Sequence, residues 1–369
     1  MKIASYNVQS LFDRAIALNL DTWDTGKVVL KLYRDMNSVL MKEKYTARDK
    51  DRIVEGMKAL GLDNDDIGPY VILRQNKGKL VKRSGPGVIE VVADGRASWQ
   101  GWLELKEGPV NDRATENTAR VIRDVDADVL AIVEGESRPA LVRFSKELLA
   151  RVAGTPYEHI MLIDGNDDRG IDVGIMLRTG YEIIRMRSHV DDEDEVGQVF
   201  SRDCAEYVIR TPKGNEFAVL VNHFKSKGYG SPASNDRKRQ RQARRVKAIY
   251  EEVVASGVAN VMVVGDFNDT PDRHPLAPLL QETDLRDVST HPSFDDGGRP
   301  GTFGSGAPSN KIDYILLAPP LFAAVQRGGI FRMGVWGGKH GTLFPHYNEI
   351  TQPVEAASDH AAIWCELDI

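Results

Sequence analysis

Short apolar runs recur along most of the chain, with turn-forming residues between them. The runs are rich in Val and Ile and are bounded by Gly, Asp, Asn or Pro, the pattern of short buried strands. The predicted strands are KIASYNV, DVLAIVE, DVGIMLR, EYVIR, FAVLVNHF, NVMVVGDF, KIDYILL and AAIWCEL. Many strands with fewer helices favour a layered β core that has helices on the outside.

Two segments between these strands have helical periodicity. Residues 116–128 precede the second strand, and residues 236–256 begin at Asp236, a suitable N-cap. The second segment contains RKRQRQARRVK, residues 237–247, the densest basic run of the chain. On a helix these charges would spread over several faces, so we interpret the run as a solvated exterior helix, with nucleic-acid binding as the alternative.

Residues 13 to about 112 differ from the strand pattern. Apolar residues at helical spacing predict two helices, and the following segment predicts a small β element that turns at NKGK. No linker divides the chain, so we predict a single domain over residues 1–369 with residues 13–112 as an insertion within it. The insertion would be either a cap beside the site described below or a remote stabilising or oligomerisation module.

Composition limits the classes of protein. The net charge is −6, so no global basic field attracts nucleic acid. The two cysteines, Cys204 and Cys365, are too few for a disulfide framework. There is no run of eighteen apolar residues, and the N-terminus predicts a strand rather than a signal peptide. We therefore expect a cytoplasmic protein without stable membrane association.

Polar residues stand at the ends of the predicted strands. The stretch VVGDFNDTPD, residues 263–272, places Asp266 and Asn268 at the end of a β-branched run, where a buried charge needs a partner or a metal. Other strands end or begin with Asn, Glu, His or Asp. Carboxylate and amide oxygens suit Mg²⁺ or Mn²⁺, with Ca²⁺ as an alternative. Histidine adds a proton donor or a phosphate contact.

The ordered set SYNVQSLF, LAIVEGES, VNHFKSK, VGDFND, KIDYIL and SDH resembles the endonuclease/exonuclease/phosphatase superfamily. The resemblance covers residues 1–12 and about 113–369, and VNHFKSKG also resembles its bacterial extracellular nuclease branch. It implies an α+β fold: a four-layer αββα sandwich with an inserted α/β segment after the first strand. The site would lie at one edge of the two packed sheets.

The same resemblance implies roles for individual residues. Asn7, Glu134 and Asp359 match positions that hold the divalent metal. Asp266 matches the residue that activates or orients the attacking water, and Asn268 matches an amide that contacts phosphate oxygens.

Two histidines and one more acid complete the implied set. His360 matches a contact to the scissile phosphate, Asp313 matches the carboxylate that orients and charges it, and His223 matches a histidine of the deoxyribonuclease and sphingomyelinase branches. Phosphodiester hydrolysis adds negative charge to oxygens, which a metal and a protonated histidine both stabilise. A carboxylate beside a histidine favours that cation. Further candidates for substrate binding are Glu136, Arg169, Asp172, Arg202, Asn222 and Lys225.

These observations predict a divalent-metal-dependent phosphodiesterase, a nuclease acting on DNA, RNA or both. The alternative within the superfamily is a phospholipid or inositol phosphate hydrolase. The strand-end motifs contain no concentrated Lys/Arg pocket for a polyphosphate, and no exposed aromatic cluster suggests a membrane-facing hairpin. A catalytically silent binding protein is the alternative from another class, but it would have lost metal or histidine positions, and none is lost here.

Overall fold

The computed structural model describes residues 1–19, 23–228 and 230–369. Contacts divide the chain into two compact units, Met1–Phe12 with Val110–Ile369, and Asp13–Pro109. We call them the large unit and the inserted unit. That the second is an insertion within a single catalytic domain remains a prediction.

The strands are β1 Lys2–Asn7, β2 Asp13–Ala15, β3 Val71–Lys77, β4 Val81–Gly85, β5 Val88–Val91, β6 Gln100–Leu105, β7 Glu107–Pro109, β8 Val129–Gly135, β9 His159–Ile163, β10 Asp172–Leu177, β11 Glu182–Arg187, β12 Glu193–Asp194, β13 Gly197–Gln198, β14 Cys204–Arg210, β15 Glu216–His223, β16 Val261–Asp266, β17 Arg286–Asp287, β18 Phe294–Asp295, β19 Asp313–Leu317, β20 Val325–Phe331 and β21 Ala362–Leu367. The α-helices are α1 Trp23–Leu40, α2 Ala47–Ala59, α3 Asp112–Val125, α4 Arg138–Arg143, α5 Pro232–Ala255, α6 Ala277–Leu280 and α7 Pro319–Ala323.

Two sheets form the centre of the large unit. The seven-stranded sheet has the order β18-β20-β21-β1-β8-β10-β9, and the six-stranded sheet has the order β11-β14-β15-β16-β19-β17. β1 runs parallel to β8, and β15 runs parallel to β16. Because parallel neighbours end at the same edge of a sheet, the polar residues that follow their apolar runs meet there.

Alternating residues along each strand bury two different faces. Ile3 of β1 and Val264 of β16 belong to one apolar core shared by both sheets. Ala4 belongs to a second core with residues of α3, and Val263 belongs to a third core with residues of α5. This arrangement makes four layers, helix, sheet, sheet and helix, and it confirms the predicted αββα sandwich.

The helix predicted to begin at Asp236 begins earlier, so that N-cap prediction was wrong. Ser231 is the N-cap of α5: its side chain accepts a hydrogen bond from the backbone N–H of Ser234, and Pro232 follows at the first helical position. Asp236 lies inside the helix and pairs with Arg239 and Arg273. Ser-Pro was the stronger start signal because proline already has a helical φ and lacks an N–H to satisfy.

The basic run on α5 is largely engaged with acids of the large unit. Four of its cations form ion pairs: Arg239 with Asp269, Arg241 with Asp194, Arg245 with Asp192 and Lys247 with Glu282. Arg239 is only 1% exposed, so it departs from the predicted solvated exterior. Most of the helix's positive charge is therefore balanced locally rather than offered to a polyanion.

The inserted unit contains α1, α2 and three two-stranded sheets, β2–β7, β3–β6 and β4–β5. Thr46 and Asp49 form a capping box at the start of α2. The predicted NKGK turn joins β3 to β4, but these strands do not pair with each other, since β3 pairs with β6 and β4 with β5. NKGK therefore leads from the β3–β6 sheet into the β4–β5 hairpin instead of closing a hairpin.

Other features of the fold concern its ends and its cysteines. Asp13 pairs with Pro109 across β2 and β7, so the inserted unit begins and ends at adjacent positions. Cys204 and Cys365 are free and buried, as two small apolar residues would be. Among the described residues, none of the helices combines the length and the apolar character needed to cross a membrane.

Candidate active site

The strand register brings the predicted catalytic residues to one edge of the six-stranded sheet. His223, the last residue of β15, is opposite Asp266, the last residue of β16. Asp266 is also opposite Asp313, the first residue of the antiparallel strand β19. Gly265 has φ +128°, and a Cβ there would lie 1.9 Å from the Asn222 carbonyl oxygen, so only glycine fits at this crossing.

Asp266 is buried at 2% exposure and lies at the centre of this group. Its Oδ2 accepts a hydrogen bond of 3.3 Å from Asn7 Nδ2, and its Oδ1 accepts one of 2.8 Å from the backbone N–H of Asn268. Burial raises the pKa of Asp266, and the neighbouring Asp313 carboxylate raises it further. A cation placed beside Asp266 would favour the ionised form.

Asn268 has a left-handed backbone, with φ +53°. Its side-chain Nδ2 donates a hydrogen bond of 3.2 Å to the Phe224 carbonyl oxygen. The Asn268 side chain thus links the loop after β16 to the loop after β15. The residue is held beside Asp266 by both its backbone and its side chain.

His360 is paired directly with Asp313, at 2.9 Å between Nδ1 and Oδ2. The Thr302 hydroxyl donates a 2.6 Å hydrogen bond to the same carboxylate oxygen. Burial alone would lower the pKa of His360, but the charge and hydrogen bond of Asp313 raise it well above its usual value, and Asp266 and Asp359 contribute in the same direction. His360 is therefore a cation at neutral pH.

The loop that carries His360 is tied to the end of β1. Ser358 Oγ accepts a 3.0 Å hydrogen bond from the His360 backbone N–H and donates a 2.7 Å hydrogen bond to the Asn7 carbonyl oxygen. The Phe303 ring packs edge-on against the His360 imidazole, with 5.0 Å between centroids. The imidazole is thus held by contacts to β1 and to the loop before β19.

His223 has different surroundings. Its Nε2 lies 3.6 Å from Asp266 Oδ2 and 3.7 Å from Glu134 Oε1. Burial lowers the pKa of His223 well below its usual value, and the positive charges of Arg202 and Arg169 lower it further. The site therefore combines one charged and one neutral imidazole next to the same aspartate.

The side chains present fit a hard cation. Ligand atoms of Asp266, Asp313 and His360 lie within 4.8 Å of one another, although the last two already bond each other. Glu134 adds a part-exposed carboxylate from a strained backbone position, φ +63°, and Asp359 adds a more exposed one. Buried carboxylates close together favour a bound cation, and their oxygens suit Mg²⁺ or Mn²⁺.

Asn7 has an orientation that bears on its predicted role. Its Oδ1 accepts a hydrogen bond of 3.0 Å from the Gln9 backbone N–H, and its Nδ2 points to Asp266 and to His360 Nε2, at 3.5 Å from the latter. In this orientation Asn7 donates to Asp266, whereas its amide nitrogen and the charged His360 Nε2 are both donors and do not bond each other. It would serve as a metal ligand through the second lone pair of Oδ1 or after rotation of the amide.

Three of the six substrate-binding candidates, two acids and an amide, make side-chain hydrogen bonds to the backbone. Glu136 Oε1 accepts hydrogen bonds from the Leu11 and Phe12 backbone N–H groups, at 2.7 and 2.5 Å, and so fixes the loop after β1. Asp172 accepts a 2.7 Å hydrogen bond from the Gly165 N–H, and burial raises its pKa to about 7.

The third of these candidates is Asn222, which is buried and donates a 3.0 Å hydrogen bond to the Leu220 carbonyl oxygen. Lys225 contributes its backbone to the support of α5: its N–H donates to Gln242 and its carbonyl oxygen accepts from Arg239. Substrate binding by these residues remains a prediction.

The two arginine candidates share one carboxylate that the sequence did not single out. Asp167 Oδ2 lies 2.9 Å from Arg202 Nε and 2.7 Å from Arg169 Nη2. Arg202 is buried and also donates a 3.2 Å hydrogen bond to the Phe224 carbonyl oxygen, next to His223. The two charges beside Asp167 hold its pKa far below the usual range, although burial opposes this.

Thr302 and Ser358 are the other supporting residues that the sequence did not single out. Ser358 stands within the SDH motif, so its position beside His360 was a usable signal. Thr302 lies eleven residues before Asp313 in a Gly-rich loop, and nothing local distinguishes it.

A sequence model of the endonuclease/exonuclease/phosphatase family matches residues 108–360. The chain belongs to this family. The match confirms the resemblance and contains five of the six motifs; SYNVQSLF, residues 5–12, and nearly all of the inserted unit lie outside it. Members of the family are hydrolases that act on phosphoester bonds, typically with divalent metals, so the broad reaction class follows. A comparison with curated proteins found no match.

Solved structures similar to this chain come from several organisms. A mannosyl-6-phosphatase from Bacteroides thetaiotaomicron is 17% identical with a TM-score of 0.50, covering 70% of this chain and 92% of that one. The human Nocturnin catalytic domain with bound sulfate is 12% identical with a TM-score of 0.48, covering 69% and 86%. Truncated TDP2 from Caenorhabditis elegans is 15% identical with a TM-score of 0.48, covering 68% and 89%. At these identities the likeness concerns the fold alone.

Proposed function

We propose that this chain is a divalent-metal-dependent phosphodiesterase and that its substrate is nucleic acid. The observation that carries the proposal is the pair of imidazoles around Asp266. The cationic His360 and the neutral His223 lie 3.8 and 3.6 Å from the same carboxylate oxygen. Hydrolysis of a phosphodiester needs a proton acceptor for water and a donor for the developing negative charge, and this group supplies both.

In the proposed mechanism Asp266 orients and deprotonates the attacking water. His360, charged by Asp313, donates a hydrogen bond to a nonbridging phosphate oxygen, and Asn268 contacts a second one. His223, on the strand that flanks Asp266 opposite to Asp313, donates a hydrogen bond from its neutral imidazole to the leaving oxygen, which takes up a proton from solvent as its bond to phosphorus breaks. Asn7, Glu134 and Asp359 would hold the divalent cation, which supplies Lewis-acid stabilisation of phosphate charge when bound.

The charge inventory supports a diester over a more highly charged phosphate. The strand-end residues are carboxylates, asparagines and histidines, and His360 is the cation among them. The two arginines whose charge reaches His223 are both engaged by Asp167. A polyphosphate would bring several negative charges to a site with few unbalanced cations, whereas each internucleotide link brings one.

The test is hydrolysis of a substrate panel with Mg²⁺, Mn²⁺, Ca²⁺ or EDTA. The panel holds single-stranded and duplex DNA, RNA, a sphingolipid diester and inositol phosphates. We expect cleavage of nucleic acid with Mg²⁺ or Mn²⁺, none in EDTA, and loss of turnover in Glu134→Gln without loss of folding. Glu251→Gln, an exposed acid on α5, is the matched control and should be active.

Two results would contradict the proposal. Undiminished turnover in excess EDTA would exclude the metal-dependent reaction. Cleavage of inositol phosphates or the sphingolipid, with nucleic acid left intact, would replace the proposed substrate with the alternative from the same family.

A further inference from the structure

The inserted unit exposes a tryptophan on a rigid two-stranded sheet. Leu73 of β3 and Leu103 of β6 are buried, and the next residues along these strands, Arg74 and Trp102, stand opposite each other on the other face. Trp102 is 46% exposed. The core of the unit already contains another tryptophan, Trp99, which is fully buried, so Trp102 is not needed there.

The exposed indole stands beside a paired cation. Arg74, opposite Trp102, forms a bidentate pair with Glu104, at 2.9 and 2.8 Å. The indole therefore presents its ring from a strand whose neighbouring charges are balanced, and a tryptophan has only two side-chain torsions to fix on binding.

Two lysines continue the surface beyond Trp102. Lys77 ends β3, opposite Gln100, and Lys79 lies in the following turn; both are exposed. Among the described residues neither of them forms an ion pair. Gly78 between them has φ +72°, and a Cβ there would lie 2.3 Å from the Ser98 carbonyl oxygen, so the turn that presents them has a defined shape.

The inserted unit also differs in charge from the rest of the chain. It contains 17 of the 48 Lys and Arg residues but only 15 of the 54 Asp and Glu residues, so it is slightly basic within an acidic protein. Charge asymmetry of this kind points to a polyanionic partner. A second copy of the chain is a poorer partner, because one aromatic ring between cations offers little of the apolar area that a stable dimer buries.

We propose that Trp102, Lys77 and Lys79 form a binding surface for single-stranded nucleic acid, with a base stacked on Trp102 and phosphates bound by the lysines. The combination of an accessible aromatic face and nearby cations is what sequence-tolerant binding of a single strand requires. The proposal rests on the proposed function for its substrate class. Because the surface is on the same chain as the large unit, it would raise the effective concentration of long substrates.

The test is binding of a fluorescein-labelled single-stranded oligonucleotide to the full chain in EDTA, measured by fluorescence anisotropy at several salt concentrations. Trp102→Ala should weaken binding about tenfold, the loss typical of one stacked base, and Trp102→Phe should retain most of it. The double variant Lys77→Ala/Lys79→Ala should reduce the slope of log K against log salt by about 1.4, since each phosphate contact on a single strand contributes roughly 0.7.

The matched control is Lys27→Ala/Lys58→Ala, which removes the same charge from exposed positions on α1 and α2 and should bind as the wild type does. Turnover of bis(p-nitrophenyl) phosphate, a small diester with no base to stack, should be unchanged in every variant. If the wild type does not hydrolyse this small diester, that result counts against the proposed function and not against the binding surface. Two results would overturn the proposed binding surface. One is a Trp102→Ala variant that binds the oligonucleotide as tightly as the wild type does; the other is a variant that changes self-association of the chain and leaves oligonucleotide binding unchanged.

Discussion

The two histidines of the site lie beside the same aspartate but in opposite surroundings. His360 contacts Asp313 at 2.9 Å, and that carboxylate keeps the imidazole charged in spite of its burial. His223 is equally buried, but its nearest carboxylate oxygen is 3.6 Å away; burial lowers its pKa, and the positive charge of Arg202 lowers it further. Both imidazoles are buried, so the charges around each one separate their protonation states.

This difference separates two tasks within one small site. A charged imidazole is a hydrogen-bond donor from both nitrogens, whereas a neutral imidazole has one donor and one acceptor. In the proposed mechanism His360 thus stabilises phosphate charge throughout the reaction, while His223 donates one hydrogen bond as a neutral imidazole. Each histidine can be tested separately by substitution, and the expected losses of activity differ in size.

The largest effect is expected on the His360 side. His360→Ala should lower kcat by about 10²–10³, the usual loss for one preorganised donor at a transition-state oxyanion. Asp313→Ala combined with His360→Ala should cost far less than the product of the single losses, because the two residues act as a unit. When His223→Ala is combined with Asp313→Ala, the loss of kcat should instead equal the product of the two single losses. Fully multiplicative losses for Asp313 and His360 in steady-state kinetics would disprove their coupling.

The pH profile should move in opposite directions when each neighbour is changed. His360 acts as a cation and its pKa is raised, so activity is kept until the pH rises through that pKa; Asp313→Asn lowers it and should shift the alkaline limb to lower pH. His223 acts neutral and its pKa is lowered; Arg202→Met removes a positive charge and should shift the acid limb to higher pH.

Measuring kcat/KM as a function of pH across both limbs gives both shifts, and circular dichroism checks that the variants fold. Arg202→Lys keeps the charge, so its acid limb should stay closer to that of the wild type. Limbs that do not move, or that move in the same direction, would show that these neighbours do not set the two protonation states.

The smallest effect is expected at Thr302, which acts through Asp313. Thr302→Val removes the 2.6 Å hydrogen bond to the carboxylate and leaves the Asp313 backbone N–H, now 3.1 Å from the hydroxyl, without its acceptor. We expect a loss of about 1–3 kcal/mol in the free energy of unfolding, measured by urea denaturation. Thr302→Ser retains the hydroxyl and should lose less. Equal losses in both variants would indicate a packing role for the Thr302 methyl group instead.

Local signals in the sequence were sufficient for eight inner strands of the two main sheets and for the family resemblance, which in turn implied the sandwich. β-branched runs bounded by turn residues are contiguous, so the apolar pattern that buries β1 and β16 is visible without knowing their neighbours. Motifs such as VGDFND also place Asp266 at a strand end directly. The N-cap of α5 was misjudged although Ser231-Pro232 was the stronger signal in the sequence; Asp236 is also a good cap residue, but it lies inside the helix and pairs with Arg239 and Arg273.

The charge state of the site was decided by tertiary structure. Asn7 and Asp266 are 259 residues apart in the chain but share a hydrogen bond, and Asp313 and His360 are 47 apart. Thr302 could not be found because its role depends on which carboxylate it meets. A pKa depends on burial and on charges within a few ångströms, and sequence order does not specify those distances. The sequence alone was therefore enough to identify the residue types of the site, whereas their protonation states depend on distances that only the tertiary structure sets.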